Sequence, residues 1–190
     1  MDTHYEACIQ LLKEKLSQYH TGDPNDPTTL LGPLARLDLR ETLHQQVSDC
    51  ITQGAQCLLG GTLPAGEGYY YPATLLTGLT PSMPAYYDEL FGPVVCIFKV
   101  STVEQAITLA NDSRYGLGAA VFSQDLTHAS QVAKRLKVGV CAINQKVSSA
   151  FGVPFGGIKS SGFGRELGQA GLYEFANQKT ILGAIDPKTL

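Results

Sequence analysis

No run of about 18 consecutive apolar residues occurs in this 190-residue chain, so no transmembrane helix is expected. The opening Met1-Asp2-Thr3-His4-Tyr5-Glu6 lacks the basic and apolar segments of a secretory signal, which leaves a cytoplasmic location as the expectation. Positive charge is not in excess: 14 Lys and Arg stand against 17 Asp and Glu, a net charge of −3. That balance gives no electrostatic footprint for nucleic acid or an anionic membrane. No CxxC pair is present among Cys8, Cys50, Cys57, Cys96 and Cys141, and their number is odd, which speaks against a disulfide framework or a zinc ribbon. His4 and Cys8 can share a helix face, but no second ligand pair accompanies them, so no metal site is expected. Internal repeats and low-complexity linkers are also missing.

Two nucleotide-loop patterns fall short. Gly152-Val153-Pro154-Phe155-Gly156-Gly157-Ile158-Lys159-Ser160 misses the P-loop because Ile158 separates the last glycine from the lysine, and Pro154 removes a backbone N–H from the supposed phosphate cradle. Gly116-Leu117-Gly118 supplies two of three dinucleotide glycines but enters a strand instead of leaving one. No Rossmann fingerprint is therefore present.

What is there reads as a folded α/β protein. Hydrophobic residues make up 44% and charged residues 16%, and the length suits one domain with a core. Tyr5, Cys8, Ile9, Leu12, Leu16 and Tyr19 recur at helical spacing, and Thr21-Gly22-Asp23-Pro24 stops that helix. A second helix is expected over 37–53, with Leu43, Val47, Cys50 and Ile51 as its buried stripe. Short strands follow at 56–59 and 70–76, with Pro72 marking an edge or an entry point. Strands are expected at 94–100, 117–122 and 138–144. Helices should separate them: one to about Asn111, begun by a capping box of Ser101 and Glu104, and one capped by Asp125. A helix over 165–177 and a last strand over 179–185 complete the order. Apolar strands alternating with amphipathic helices imply a mostly parallel sheet with helices on both faces. All five cysteines read as buried and inert, since none opens a helix where a thiolate would be stabilised.

Two segments carry chemistry. Asp88-Glu89-Leu90-Phe91-Gly92-Pro93-Val94 sets a carboxylate and an aromatic beside a turn. A carboxylate can accept hydrogen bonds from both hydroxyls of a ribose, and a ring can rest against a flat heterocycle. By residue type alone, such acids are more often plain solvated loop residues. In the second segment, glycines crowd between Gly152 and Gly168 and allow backbone to approach a ligand or another element closely. Arg165 and Glu166 are expected to enter the following helix, where Glu166 would favour the dipole.

The order Glu-Leu-Phe-Gly-Pro-Val at 89–94, then Asn111, Tyr115-Gly116-Leu117, Asn144, Pro154-Phe155-Gly156-Gly157-x-Lys159, Ser161-Gly162-x-Gly164-Arg165-Glu166, Glu174-Phe175 and Lys179-Thr180 resembles the NAD(P)-dependent aldehyde dehydrogenases over essentially the whole chain. Gly32-Pro33-Leu34-Ala35-Arg36 with Leu43-His44 is similar to the bacterial succinate-semialdehyde branch. The resemblance implies a partial catalytic domain over 1–178 and an oligomerisation strand and tail over 179–190. It implies that Glu89 hydrogen-bonds the nicotinamide ribose, that Phe91 limits the nicotinamide ring and that Phe155 lines a substrate tunnel. Asn144 and Lys159 would anchor loops, and Gly156, Gly157, Gly162 and Gly164 would set loop shape. Ser149 matches a serine that binds the substrate carboxylate in that branch; by residue type alone it is equally a plain loop serine beside Ser148. The nucleophilic cysteine, the general-base glutamate and most of the NAD or NADP site would lie upstream, outside this sequence. No catalytic residue is therefore assigned, and the chain alone is expected to be inactive. Its partners would be a small aldehyde and either a second copy or the missing amino-terminal half. A non-catalytic module that associates with full-length subunits is the alternative.

Overall fold

The computed structural model describes residues 2–183, with side chains described from His4 onward. By contacts the chain divides into two units, Met1–Ala106 and Ile107–Leu190, and each is described by itself.

The first unit begins with α1 (Asp2–Ser17) and α2 (Leu37–Thr52). A sheet of β1 (Gln56–Leu59), β2 (Thr74–Thr77) and β3 (Val94–Ile97) follows, with the short α3 (Pro84–Tyr87) between its last two strands. β2 lies in the centre, antiparallel to β1 and parallel to β3. Its residues are buried throughout, as expected of a short apolar strand flanked on both sides. Pro72 precedes β2 and so marks its entry, which resolves the edge-or-entry alternative: a proline within the central strand would remove a ladder hydrogen bond. The core joins Leu43, Val47 and Cys50 of α2 to Tyr71, Leu76 and Met83, and Leu90 packs against it. Ile51, expected in the same stripe, is 38% exposed. On α1, Ile9 is buried and Tyr5, Leu12 and Leu16 are half-buried, while Cys8 is exposed. The expectation that all five cysteines are buried holds for Cys50 alone: Cys57, Cys96 and Cys141 are half-buried and Cys8 is exposed. Cys8 sits at the rim of a narrow apolar stripe, one residue short of Ile9 and so about 100° from it.

The second unit holds β4 (Gly118–Val121) and β5 (Val140–Ile143), parallel and in register from Gly118 with Val140 to Val121 with Ile143. The helix α5 (Leu126–Ala133) connects them, packs on both and completes a βαβ crossover. Asp125 caps it as expected, its carboxylate accepting from the His128 N–H at 2.9 Å. The helix α4 (Val103–Asn111) spans the division between the units. Its cap differs from expectation by one residue. Thr102 Oγ1 accepts from the Gln105 N–H at 3.1 Å, and the Gln105 side chain accepts from the Ser101 N–H at 2.9 Å. The box is built by Thr102 and Gln105, because the helix starts at Val103 and position N3 falls on Gln105.

A mixed α/β fold with parallel strands is thus observed, with one antiparallel pairing and two sheets among the described residues. The carboxy-terminal helix is shorter than expected. α6 runs over Gly168–Glu174, and Arg165 and Glu166 stand outside it. Glu166 exchanges both backbone hydrogen bonds with Phe155 at 2.8 Å, and Leu167 has φ 64°, so neither residue has helical backbone. Of the last expected strand, residues 179–183 carry no regular secondary structure, and its remainder lies outside the described residues.

Candidate functional site

Glu89 and Phe91 lie on the turn between α3 and β3 in the first unit. Both are exposed, Phe91 to 65%, while Leu90 between them packs against the core. This half-buried leucine ties the turn to the core, while its two neighbours stay exposed. Gly92 lets the Leu43 side chain pack directly on the turn. A Cβ at that position would stand 2.3 Å from Cδ2 of Leu43, itself buried. The Pro93 carbonyl then accepts from the Thr74 N–H at 2.9 Å and starts the parallel pairing of β2 with β3. A free carboxylate beside an accessible flat ring suits a ribose and a nicotinamide, since the first needs hydrogen-bond acceptors and the second an apolar surface.

Ser149 and Phe155 lie in the second unit on the segment that leaves β5. Ser149 is exposed and Phe155 half-buried. Phe155 lines a pocket of about 400 Å³ together with Ser161, Phe163, Arg165, Glu174 and Phe175; Ser149 is not among its lining residues.

The glycine-rich loop is held from three sides. Phe155 pairs with Glu166 across its neck. The Arg165 guanidinium donates from Nη1 to the carbonyls of Gly157 (2.8 Å) and Gly164 (2.6 Å), and its backbone N–H donates to Glu174 Oε1 at 3.2 Å. Lys159, at φ 57°, donates from Nζ to the carbonyls of Asn111 (3.0 Å) and Ser113 (2.8 Å). The Asn111 carbonyl is the last of α4, so the lysine satisfies an acceptor that the helix leaves open and meets the negative end of its dipole, and the Ser113 bond extends the hold to the turn beyond. Gly139 lets the loop lie directly on the sheet, with Gly156 O within 1.8 Å of where a Cβ would be.

Two asparagines fix the strand ends that support this loop. The Asn144 carboxamide accepts from the Ser123 N–H and donates to the Ser123 carbonyl, each at 2.8 Å. Asn111 donates to the Arg135 carbonyl at 2.9 Å and accepts from the Lys137 N–H at 2.7 Å. Each amide imitates a strand's pair of backbone hydrogen bonds. The part played by Arg165 escapes sequence reading, because periodicity assigns it to a helix. The only available signal is an arginine next to glycines whose carbonyls have no side chains to shield them.

Four thiols are held back from ionisation. Burial pushes the Cys96 thiol up to about 11 and raises those of Cys50, Cys57 and Cys141 as well. Burial also pushes the Tyr71 phenol up to about 12. The folded state therefore favours the protonated forms, and the stability this confers is complete below the ordinary thiol value and is lost as pH rises through about 11. Urea midpoints measured from neutral pH to about pH 11 should fall steadily above about pH 9, and Cys96→Val should flatten that fall. An identical slope in the variant would remove Cys96 as the cause. Among the described residues, no group of three or more His, Cys, Asp or Glu is placed to hold a metal ion, and no helix is long and apolar enough to cross a membrane.

The fold and these loops define an α/β protein whose exposed carboxylate–aromatic turn and clamped glycine loop are presented on strand ends. Residues 1–181 match the aldehyde dehydrogenase family, and the chain belongs to it. It is 46% identical over 181 residues to a succinate-semialdehyde dehydrogenase (NADP+) of Deinococcus radiodurans, covering 95% of this chain and 38% of that protein. It is 51% identical over 160 residues to the succinate semialdehyde dehydrogenase (NAD(P)+) Sad of Escherichia coli K12, covering 84% of this chain and 35% of that one. The crystal structure of a succinic semialdehyde dehydrogenase from Streptococcus pyogenes, in complex with NADP+, superposes with a TM-score of 0.89 at 40% identity, covering 93% of this chain and 39% of that chain. The chain thus spans less than two fifths of the length of these relatives.

Proposed function

We propose that this chain is part of an enzyme that oxidises succinate semialdehyde, or a closely related aldehyde with a distal carboxylate, to the acid with NAD or NADP. The observation that supports this reading most is the likeness to two succinate-semialdehyde dehydrogenases over 84–95% of the chain. In this reading Glu89 accepts hydrogen bonds from the nicotinamide ribose and Phe91 limits the position of the ring. The Ser149 hydroxyl donates to the substrate carboxylate and Phe155 lines the path to the reacting carbon. The nicotinamide supplies the hydride acceptor; the residues here bind and orient. The described cysteines offer no activated nucleophile, since four of them have thiols raised by burial and Cys8 lies alone on α1. The chain alone is therefore inactive, and assembly with another chain through residues 179–190 belongs to the same proposal.

The test is NAD(P)H formation from succinate semialdehyde by the pure chain and by the Deinococcus relative with its matched segment replaced by this chain. No turnover is expected from the first and clear turnover from the second. In the chimaera, Ser149→Ala should raise KM for succinate semialdehyde about tenfold, the loss of one hydrogen bond to a charged group, and leave KM for an aldehyde without a carboxylate unchanged. Turnover by the pure chain would overturn the claim of inactivity. A folded but inactive chimaera would overturn the substrate reading and favour an associating, non-catalytic role, for which the exposed aromatics of the second unit already speak.

A further inference from the structure

The loop that follows Phe155 carries an aromatic to which the reading above gives no role in binding cofactor or substrate. Phe163 is fully exposed, at 100%, and the adjoining Phe175 is 95% exposed; both line the pocket beside Arg165. Slack in the chain does not account for that exposure. Just before Phe163, Ser160 N–H donates to the Arg114 carbonyl at 2.8 Å, and Ser161 Oγ accepts from the Gly116 N–H at 3.0 Å. Just after it, the Gly164 carbonyl is held by Arg165 at 2.6 Å. Lys159 fastens the same loop to the end of α4. The flanking Gly162 and Gly164 both have positive φ, so the backbone turns outward at Phe163. An aromatic ring held outward on a tethered loop loses little freedom on burial, which is how interface anchors gain affinity.

The comparison structures show how much further chain accompanies this fold in its relatives. The Streptococcus pyogenes enzyme contains this fold at a TM-score of 0.89, yet the fold accounts for only 39% of that chain. The same surface there belongs to a much larger body. We propose that Phe163 is the anchor of an interface with that part of an aldehyde dehydrogenase chain which lies outside the residues matched here. The proposal rests on family membership and is independent of the substrate.

The test compares Phe163→Asp in two settings, by thermal unfolding. In the isolated chain the substitution should leave Tm unchanged within about 1 °C, because the ring touches nothing there. In the Deinococcus chimaera it should lower Tm by about 5 °C or more, while Phe163→Leu retains most of the stability. Equal Tm for wild type and Phe163→Asp in the chimaera would overturn the proposal. A drop in the isolated chain would overturn it too, since the ring would then pack within this chain. Sedimentation of the isolated chain separates the remaining case: self-association that Phe163→Asp abolishes would assign the ring to a second copy and sink the proposal. The unfolding readout needs no turnover, so a chimaera that is inactive but shows the Tm difference fails the substrate reading alone.

Discussion

Gly139→Ala should destabilise the second unit by about 3 kcal/mol or more. A Cβ at residue 139 would sit 1.8 Å from the Gly156 carbonyl oxygen, 2.8 Å from its carbon and 3.0 Å from the Gly157 Cα. All three atoms are backbone, so no rotamer change relieves the overlap. Relief requires Gly156 and Gly157 to lift away from the β4–β5 sheet, and that segment is tied down on both sides. The Ile158 N–H donates to the Gly116 carbonyl at 3.0 Å, Arg165 holds the Gly157 carbonyl at 2.8 Å, and Phe155 pairs with Glu166. Lifting the segment weakens all of these and moves Phe155 with it. Urea denaturation should show the loss, and hydrogen exchange should show the Phe155 and Ile158 amides losing protection first. Gly32→Ala is the matching control, because the nearest atom there is 3.7 Å away and the change should lie within about 0.5 kcal/mol of neutral. Equal midpoints for Gly139→Ala and wild type would mean that the loop does not rest on the sheet as described.

Leu76→Ala should cost about 3 kcal/mol in the first unit. Leu76 is 0% exposed in the central strand, opposite Cys57 on one side and Cys96 on the other, and it belongs to the cluster with Leu43, Val47 and Tyr71. Deleting its isobutyl group removes the transfer energy of the lost carbons and leaves a cavity. Residues from α2 and from both neighbouring strands border that cavity, and they cannot collapse together into it. Leu76→Met conserves most of the volume and should cost less than about 1.5 kcal/mol. Chemical denaturation of both variants decides the matter. A loss under about 1 kcal/mol for the alanine would show a core loose enough to refill the space.

Short-range signals carry over into the structure. Strand β1 falls on the expected residues 56–59, and α1 and α2 end within one or two residues of expectation. Asp125 caps α5 as its position before an apolar stripe suggested. These depend on a few consecutive residues: an apolar period, a capping oxygen, a glycine or proline stop. The misreadings share the opposite cause. Glu166 has the composition of a first-turn residue, yet Phe155, eleven positions earlier, takes both of its backbone hydrogen bonds and withholds them from a helix. Cys8 fits an apolar period, but how much of α1 is covered depends on the breadth of what packs against it. Thr102 in place of Ser101 is a slip of one residue, within the ordinary fraying of helix starts.

At the candidate site the division is similar. Glu89, Phe91, Ser149 and Phe155 are candidates by motif order alone, and the same motifs point to the family that residues 1–181 match. No local rule could find that Leu90 anchors the first turn, that Arg165 closes the glycine loop, or that Phe163 stands free of the chain. The sequence by itself determined the succession of the longer helices and the strands through β5, the bounds of β1 and nearly those of α2, and the aldehyde dehydrogenase membership, because each is written in residues near one another or in motifs kept in order; the short α3 was not foreseen. Only the tertiary structure decided which strands pair, which backbone Gly139 lets approach and which side chains face outward. Those outcomes depend on contacts between residues far apart in the chain, and such contacts exist only once both partners have been brought together by the fold.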